Sequence, residues 1–172
     1  MMRIDEEKYQ NVILFLCSKL ADKSIHGKKK LAKLLYYIDF DRFEFNESMV
    51  SITGDTYVRL RMGPVPNSFE GIVGRMSDLG MLEVSEKLEF EGQKKPTVIY
   101  RALKEPKMSI FDDEESFILN RVATKYAQLT GKDLEELSHR EAPWVAVEHR
   151  DEIPFELAFY RGTDFSDEMR AA

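Results

Sequence analysis

A single cysteine, Cys17, stands in a chain of 172 residues, so no internal disulfide can form and no paired-cysteine zinc pattern is present. The three histidines, His26, His139 and His149, lie far apart, and no His-Glu-x-x-His pair occurs. No metal and no other cofactor is therefore expected. A spaced, even set of cysteines would have pointed to secretion, and its lack favours a reducing cytoplasm. The opening Met1-Met2-Arg3-Ile4-Asp5-Glu6-Glu7 carries acids where an export signal carries positive charge, so no such signal is expected. Long apolar runs are also missing: Val12-Ile13-Leu14-Phe15-Leu16 is closed off by Ser18-Lys19, well short of the roughly 20 residues that cross a bilayer. Basic charge is in deficit, with 25 Lys+Arg against 31 Asp+Glu and a net charge of −6, which argues against a general nucleic-acid binder. Neither phosphate-binding glycine fingerprint appears, since Gly71-Ile72-Val73-Gly74 falls within a predicted helix and lacks the P-loop lysine.

What is present is enough for one ordinary domain. Hydrophobic residues make up 43% of the chain, and at this length a folded chain buries roughly 70% of the surface its unfolded form exposes. A single domain over 1–161 is expected, followed by a tail, 162–172, with little to bury and no expected order. Tyr9, Val12, Ile13, Leu16, Cys17 and Leu20 recur at helical spacing behind an Asp5 cap, which places Cys17 in packing rather than in chemistry. A second helix is expected from Lys28 to Phe45. It carries Leu31, Leu34, Leu35 and Ile38 on one face and Tyr36, Phe40 and Phe43 on nearly the opposite one, the mark of a helix packed between layers. Its opening Lys28-Lys29-Lys30 opposes the helix dipole and is expected to be a solvated charge run, with an acidic partner surface as the alternative. Ile52 to Arg61 alternates like a half-exposed strand, and Gly63-Pro64-Val65-Pro66 reads as a rigid connector that ends it.

The third helix is predicted from Phe69, Ile72, Val73, Met76 and Leu79, with Gly71 and Gly74 as points of close approach for another element. Leu82 to Ala102 reads as a β-hairpin. A fourth helix starts at an Asp112/Glu115 capping pair and ends at Gly131; a shorter one is expected from Asp133 to Ser138-His139. The fold class is thus mainly α with small β elements, an α+β domain.

Candidate chemistry is thin. Ser138-His139-Arg140-Glu141 brings a hydroxyl, an imidazole and a carboxylate together in sequence, yet neighbours on one helix point different ways. The expected role of His139 is a helix-end histidine bonded to backbone and packed near Trp144. Asp39 and Arg42 share a helix face and are expected to form a structural ion pair, with a recognition site lined by Asp55, Tyr57 and Arg61 as the alternative.

Four stretches coincide in order and spacing: Lys30-Leu31-Ala32-Lys33-Leu34-Leu35-Tyr36-Tyr37, Thr53-Gly54-Asp55-Thr56-Tyr57-Val58, Gly63-Pro64-Val65-Pro66, and Leu137-Ser138-His139-Arg140-Glu141-Ala142-Pro143-Trp144. Together they resemble the Panacea, or SocA-like, antitoxin domain family over about Lys28 to Phe159. The resemblance implies a mainly helical domain with small β elements that neutralises a cognate protein toxin by direct binding. Some members deliver a toxin to a protease, and related domains occur in prophages and mobile elements. The partner-binding candidates are Lys30, Lys33, Tyr37, Asp55, Tyr57 and Arg61. Leu34, Tyr36, Gly54, Gly63, Pro64, Ser138, His139 and Trp144 are motif positions expected to be structural. The rival reading is a winged helix-turn-helix DNA-binding regulator, from the element order between Asp5 and Leu103. Against it stand the acids of the would-be wing, Glu83, Glu86, Glu89 and Glu91.

Overall fold

Asp5 caps the first helix, α1 (Glu6–Ser18), by accepting a hydrogen bond from the Lys8 amide at 3.0 Å. In the computed structural model, which describes residues 2–166, α1 buries an unbroken run from Val12 to Cys17. Cys17 lies in the core with its thiol pushed up to about 12 by burial, an inert group. A short strand, β1 (Ser24–His26), leads into α2 (Lys28–Glu44). Every residue of α2 from Leu31 to Phe43 is buried, as its two apolar faces demand: α1, the later helices over Asp113–Lys125 and Gly131–Ser138, the hairpin of Tyr57–Leu60 with Gly63–Pro66, and the C-terminal segment all pack around it.

The chain continues through β2 (Tyr57–Leu60), β3 (Gly63–Pro66), α3 (Phe69–Asp78), β4 (Leu82–Lys87), β5 (Thr97–Ala102), α4 (Asp113–Lys125), α5 (Gly131–Ser138) and α6 (Ala142–Val145), ending in a 3-10 segment, Phe155–Tyr160. The result is an α+β fold with two small antiparallel sheets. In the first, β5 lies between β1 and β4, and the expected hairpin forms with Val84 opposite Tyr100. The second is β2 with β3.

Three local expectations are corrected. Gly63–Pro66 is a strand rather than a connector: Tyr57 pairs with Pro66 and Arg59 with Pro64 around a two-residue turn, Arg61-Met62. Proline is tolerated there because only alternate residues of an antiparallel strand send an N–H to the partner, and both prolines hold the other positions. The amide of Arg59, opposite Pro64, accordingly points the other way and donates to the Asp151 carbonyl at 3.0 Å. Gly131 begins α5 instead of ending α4, because Thr130 and Asp133 form a reciprocal capping box. Gly71 and Gly74 are exposed, and a Cβ at Gly74 would meet nothing within 4 Å, so neither admits a neighbouring element.

Of the expected tail, 167–172 lies outside the described residues. Before it, Phe165 packs on Phe45 with ring centres 5.2 Å apart, and the Arg121 guanidinium lies 4.6 Å from the Phe165 ring centre. Among the described residues no helix is long and apolar enough to cross a membrane.

Candidate functional site

The sequence motifs converge on the joint between α2 and the β2–β3 hairpin. Lys33, in the second turn of α2, is fully buried and donates to the Pro64 carbonyl at 3.0 Å. Burial pushes its ammonium down to about 7. Gly63 has φ +116°, and a Cβ there would overlap the Lys33 stem and come within 3.0 Å of the Ser138 hydroxyl; only glycine fits. Ser138 donates its hydroxyl to the Glu135 carbonyl at 3.1 Å. The single tryptophan closes the joint. Trp144 donates Nε1–H to the Leu60 carbonyl at 3.0 Å and lies between the Arg59 guanidinium, 3.9 Å from its ring centre, and the His139 ring, stacked at 3.9 Å. Burial lowers the His139 pKa from its ordinary value. Ser138 and His139 thus face a main-chain carbonyl and an indole, not each other.

A second buried network replaces the expected Asp39–Arg42 ion pair. Asp39 accepts from the amides of Ile52 and Thr53 at 3.0 and 2.9 Å, from the Thr53 hydroxyl at 2.5 Å and from the Tyr57 hydroxyl at 2.7 Å. Four donors suit a carboxylate, and although burial raises its pKa to about 6 it is ionised at neutral pH. Arg42 pairs instead with Glu114 at 3.2 Å. Asp55 accepts from the Tyr9 hydroxyl at 2.8 Å and from the Ser68 amide. Gly54, φ +76°, lets the chain pass against the Arg3 backbone.

These positions revise the partner-binding candidates. Lys33, Tyr37, Asp55 and Tyr57 are at most 1% exposed, so they hold the interior together, and of the four only Lys33 lines a surface groove at the joint. Tyr37 stacks on Tyr126 with ring centres 4.0 Å apart. Lys30 is half-buried and Arg61 is exposed at the hairpin turn. Leu34 and Tyr36 are also core, and the Tyr36 hydroxyl donates to Glu141 at 2.9 Å.

What faces solvent at this joint is a groove of about 330 Å³. Its apolar lining is Ala32, Leu60, Met62 and Val65, and Lys28, Lys29, Lys33 and Arg61 complete it. The lysines that open α2 find their compensation in other elements: Lys28 pairs with Glu70 of α3, and Lys29 with Glu135 of α5 at 2.6 Å. Arg61 forms no ion pair among the described residues. Met62 is 50% exposed.

A cluster not anticipated from the sequence locks the C-terminal segment onto α2. The Arg161 side chain is 1% exposed and pairs with Asp41 at 2.7 Å and Glu44 at 2.5 Å, while Arg121 of α4 also binds Asp41. Neither arginine lies in a recognisable motif; the only sequence hint is Arg121 beside the apolar stripe of α4. Among the described residues no group of three or more His, Cys, Asp or Glu side chains gathers in a way that could hold a metal ion.

The family described as antitoxin SocA-like, Panacea domain, matches residues 31–145, more than half of the chain. The chain belongs to this family. No curated protein and no solved structure matches it.

Proposed function

We propose that this protein is the neutralising member of a toxin–antitoxin pair and acts by binding its cognate toxin directly in the cytoplasm, without catalysis. Membership in the SocA-like antitoxin family over residues 31–145 carries the reading. The joint supports it, because the residues with the best claim to chemistry have structural tasks: Ser138 bonds a carbonyl and His139 stacks on Trp144. The surface they support is a groove beside a stiff hairpin, suited to contact with another chain.

The test is genetic and then biochemical. The product of the adjacent reading frame, expressed alone, arrests growth; co-expression of this chain restores it, and the two proteins purify together. An adjacent product without effect on growth, or restored growth without a complex, overturns direct neutralisation. Loss of the toxin only when a cellular protease is present assigns the chain to an adaptor role instead.

A second reading, a DNA-binding regulator, has one observation in its favour. Helices α1, α2 and α3 with β1 pairing onto the β4–β5 hairpin follow the plan of a winged helix-turn-helix, with β2–β3 inserted. This is fold-level analogy. On α3 Arg75 is held by Glu6 at 2.5 Å, and the wing's Glu83, Glu86, Glu89 and Glu91 are matched by Lys87, Lys94, Lys95 and Arg101, so the wing offers no net positive charge to hold phosphate. A mobility shift on promoter DNA that weakens steeply with salt favours it.

A further inference from the structure

We infer that the groove between the first turns of α2 and the β2–β3 turn seats one acidic and apolar segment of the protein partner, an inference that rests on the antitoxin reading and locates its contact. Its volume of about 330 Å³ admits one large side chain with a stretch of its backbone. The apolar lining of Ala32, Leu60, Met62 and Val65 selects an apolar insert. Charge sets what flanks that insert. The lining holds Lys28, Lys29 and Arg61 within reach of solvent and no carboxylate, Lys33 being fully buried, on a chain whose net charge is −6.

Within that lining the cations are not equivalent. Lys28 and Lys29 are held by Glu70 and Glu135, whereas Arg61 is exposed and without an acidic partner among the described residues. A partner carboxylate set against Arg61 therefore gains a planar, bidentate donor that no carboxylate among the described residues already occupies. Met62 beside it is half-exposed and flexible, a side chain that adapts to the shape of an insert. Nucleic acid suits the groove less well: two of its cations are already neutralised, and no aromatic ring lines it for base stacking.

Two measurements test this, one of them independent of any toxin. In amide-resolved NMR of the full chain, the probe peptide acetyl-Glu-Phe-Asp-amide shifts the signals of Lys29, Ala32, Met62 and Val65, and acetyl-Lys-Phe-Lys-amide does not. Arg61→Glu weakens the acidic peptide at least tenfold. Equal response to both peptides, no response, or a response to a 20-base-pair DNA duplex in place of the acidic peptide overturns the inference. In the complex with the toxin, Arg61→Glu and Met62→Asp, both at exposed positions, raise Kd at least tenfold, while Met49→Asp, exposed beyond the opposite end of α2, changes it less than twofold. A photo-crosslinker at position 62 captures a toxin peptide bearing an acid within a few residues of a large apolar side chain. Rescue with unchanged affinity in both variants removes the groove and leaves the antitoxin reading standing. Peptide binding without rescue by the wild type does the reverse.

Discussion

Lys33 donates to the Pro64 carbonyl at 3.0 Å from a fully buried position, so a lysine amine fastens the β2–β3 hairpin to α2. Its pKa in the fold is pushed down to about 7, against about 10.4 in an unfolded chain. Between those values the unfolded chain carries a proton that the folded one lacks, so stability rises with pH across that window and is lost as pH falls through 7. Lys33→Met removes this dependence. The stability difference, variant minus wild type, is expected to fall by on the order of 3 kcal/mol between pH 6 and pH 10. Urea unfolding at pH 6, 8 and 10 reads it, and a pH-independent difference refutes the assignment.

Gly63 and Lys33 are coupled through space, because a Cβ on Gly63 would overlap the lysine stem. Gly63→Ala is expected to cost at least about 2 kcal/mol, from the overlap together with the strain of φ +116°. Shortening Lys33 to alanine removes the overlap but not the strain. The double variant should therefore lose at least about 0.5 kcal/mol less than the sum of the single losses. Strict additivity in a double-mutant cycle would show that the two do not meet.

The single tryptophan offers a direct reading of His139, whose ring is stacked on it at 3.9 Å. A protonated imidazole in van der Waals contact quenches indole emission, and a neutral one does so weakly. Burial lowers the pKa of His139, so the emission of Trp144 is expected to fall with a midpoint below the ordinary histidine value of about 6.5. His139→Gln abolishes the transition. A midpoint above 6.5, or one that survives the substitution, contradicts the stacked, partly desolvated geometry.

The core of the fold was legible because periodicity reports burial of apolar residues well. The two apolar faces of α2 marked it as central, and the Asp112/Glu115 box appears where the spacing places it. The burial of Lys33, Tyr37, Asp55 and Tyr57 was not legible, for the converse reason. Lysine, aspartate and tyrosine usually keep a polar end in water, and what draws these inside is contact between segments far apart in sequence, such as Tyr9 with Asp55 and Tyr57 with Asp39. No local pattern encodes that. The strand at Gly63–Pro66 was hidden because proline argues against a strand in general and is compatible only with the alternate positions of one antiparallel register.

The least legible feature supports the last prediction. Arg161 lies beyond the residues matched by the family, yet its side chain is 1% exposed and bonds Asp41 and Glu44 of α2. Nearby the same segment completes the sheet, where Ile153 donates its amide to the Tyr57 carbonyl at 2.8 Å. A buried pair is worth little against an apolar replacement, but removing one member strands the other charge and costs about 3–5 kcal/mol. Arg161→Ala is therefore expected to destabilise by about 3 kcal/mol, at the lower end because Arg121 still binds Asp41. Arg161→Lys, which keeps the charge but not the planar fork, should fall between that variant and the wild type. The same loss frees the chain after Pro154, so native-state proteolysis in that segment should accelerate at least tenfold in Arg161→Ala. A urea midpoint indistinguishable from wild type would mean that the segment is held by Phe155 and its aromatic neighbours alone, with ring centres 4.4 Å from Phe40 and 5.2 Å from Phe43.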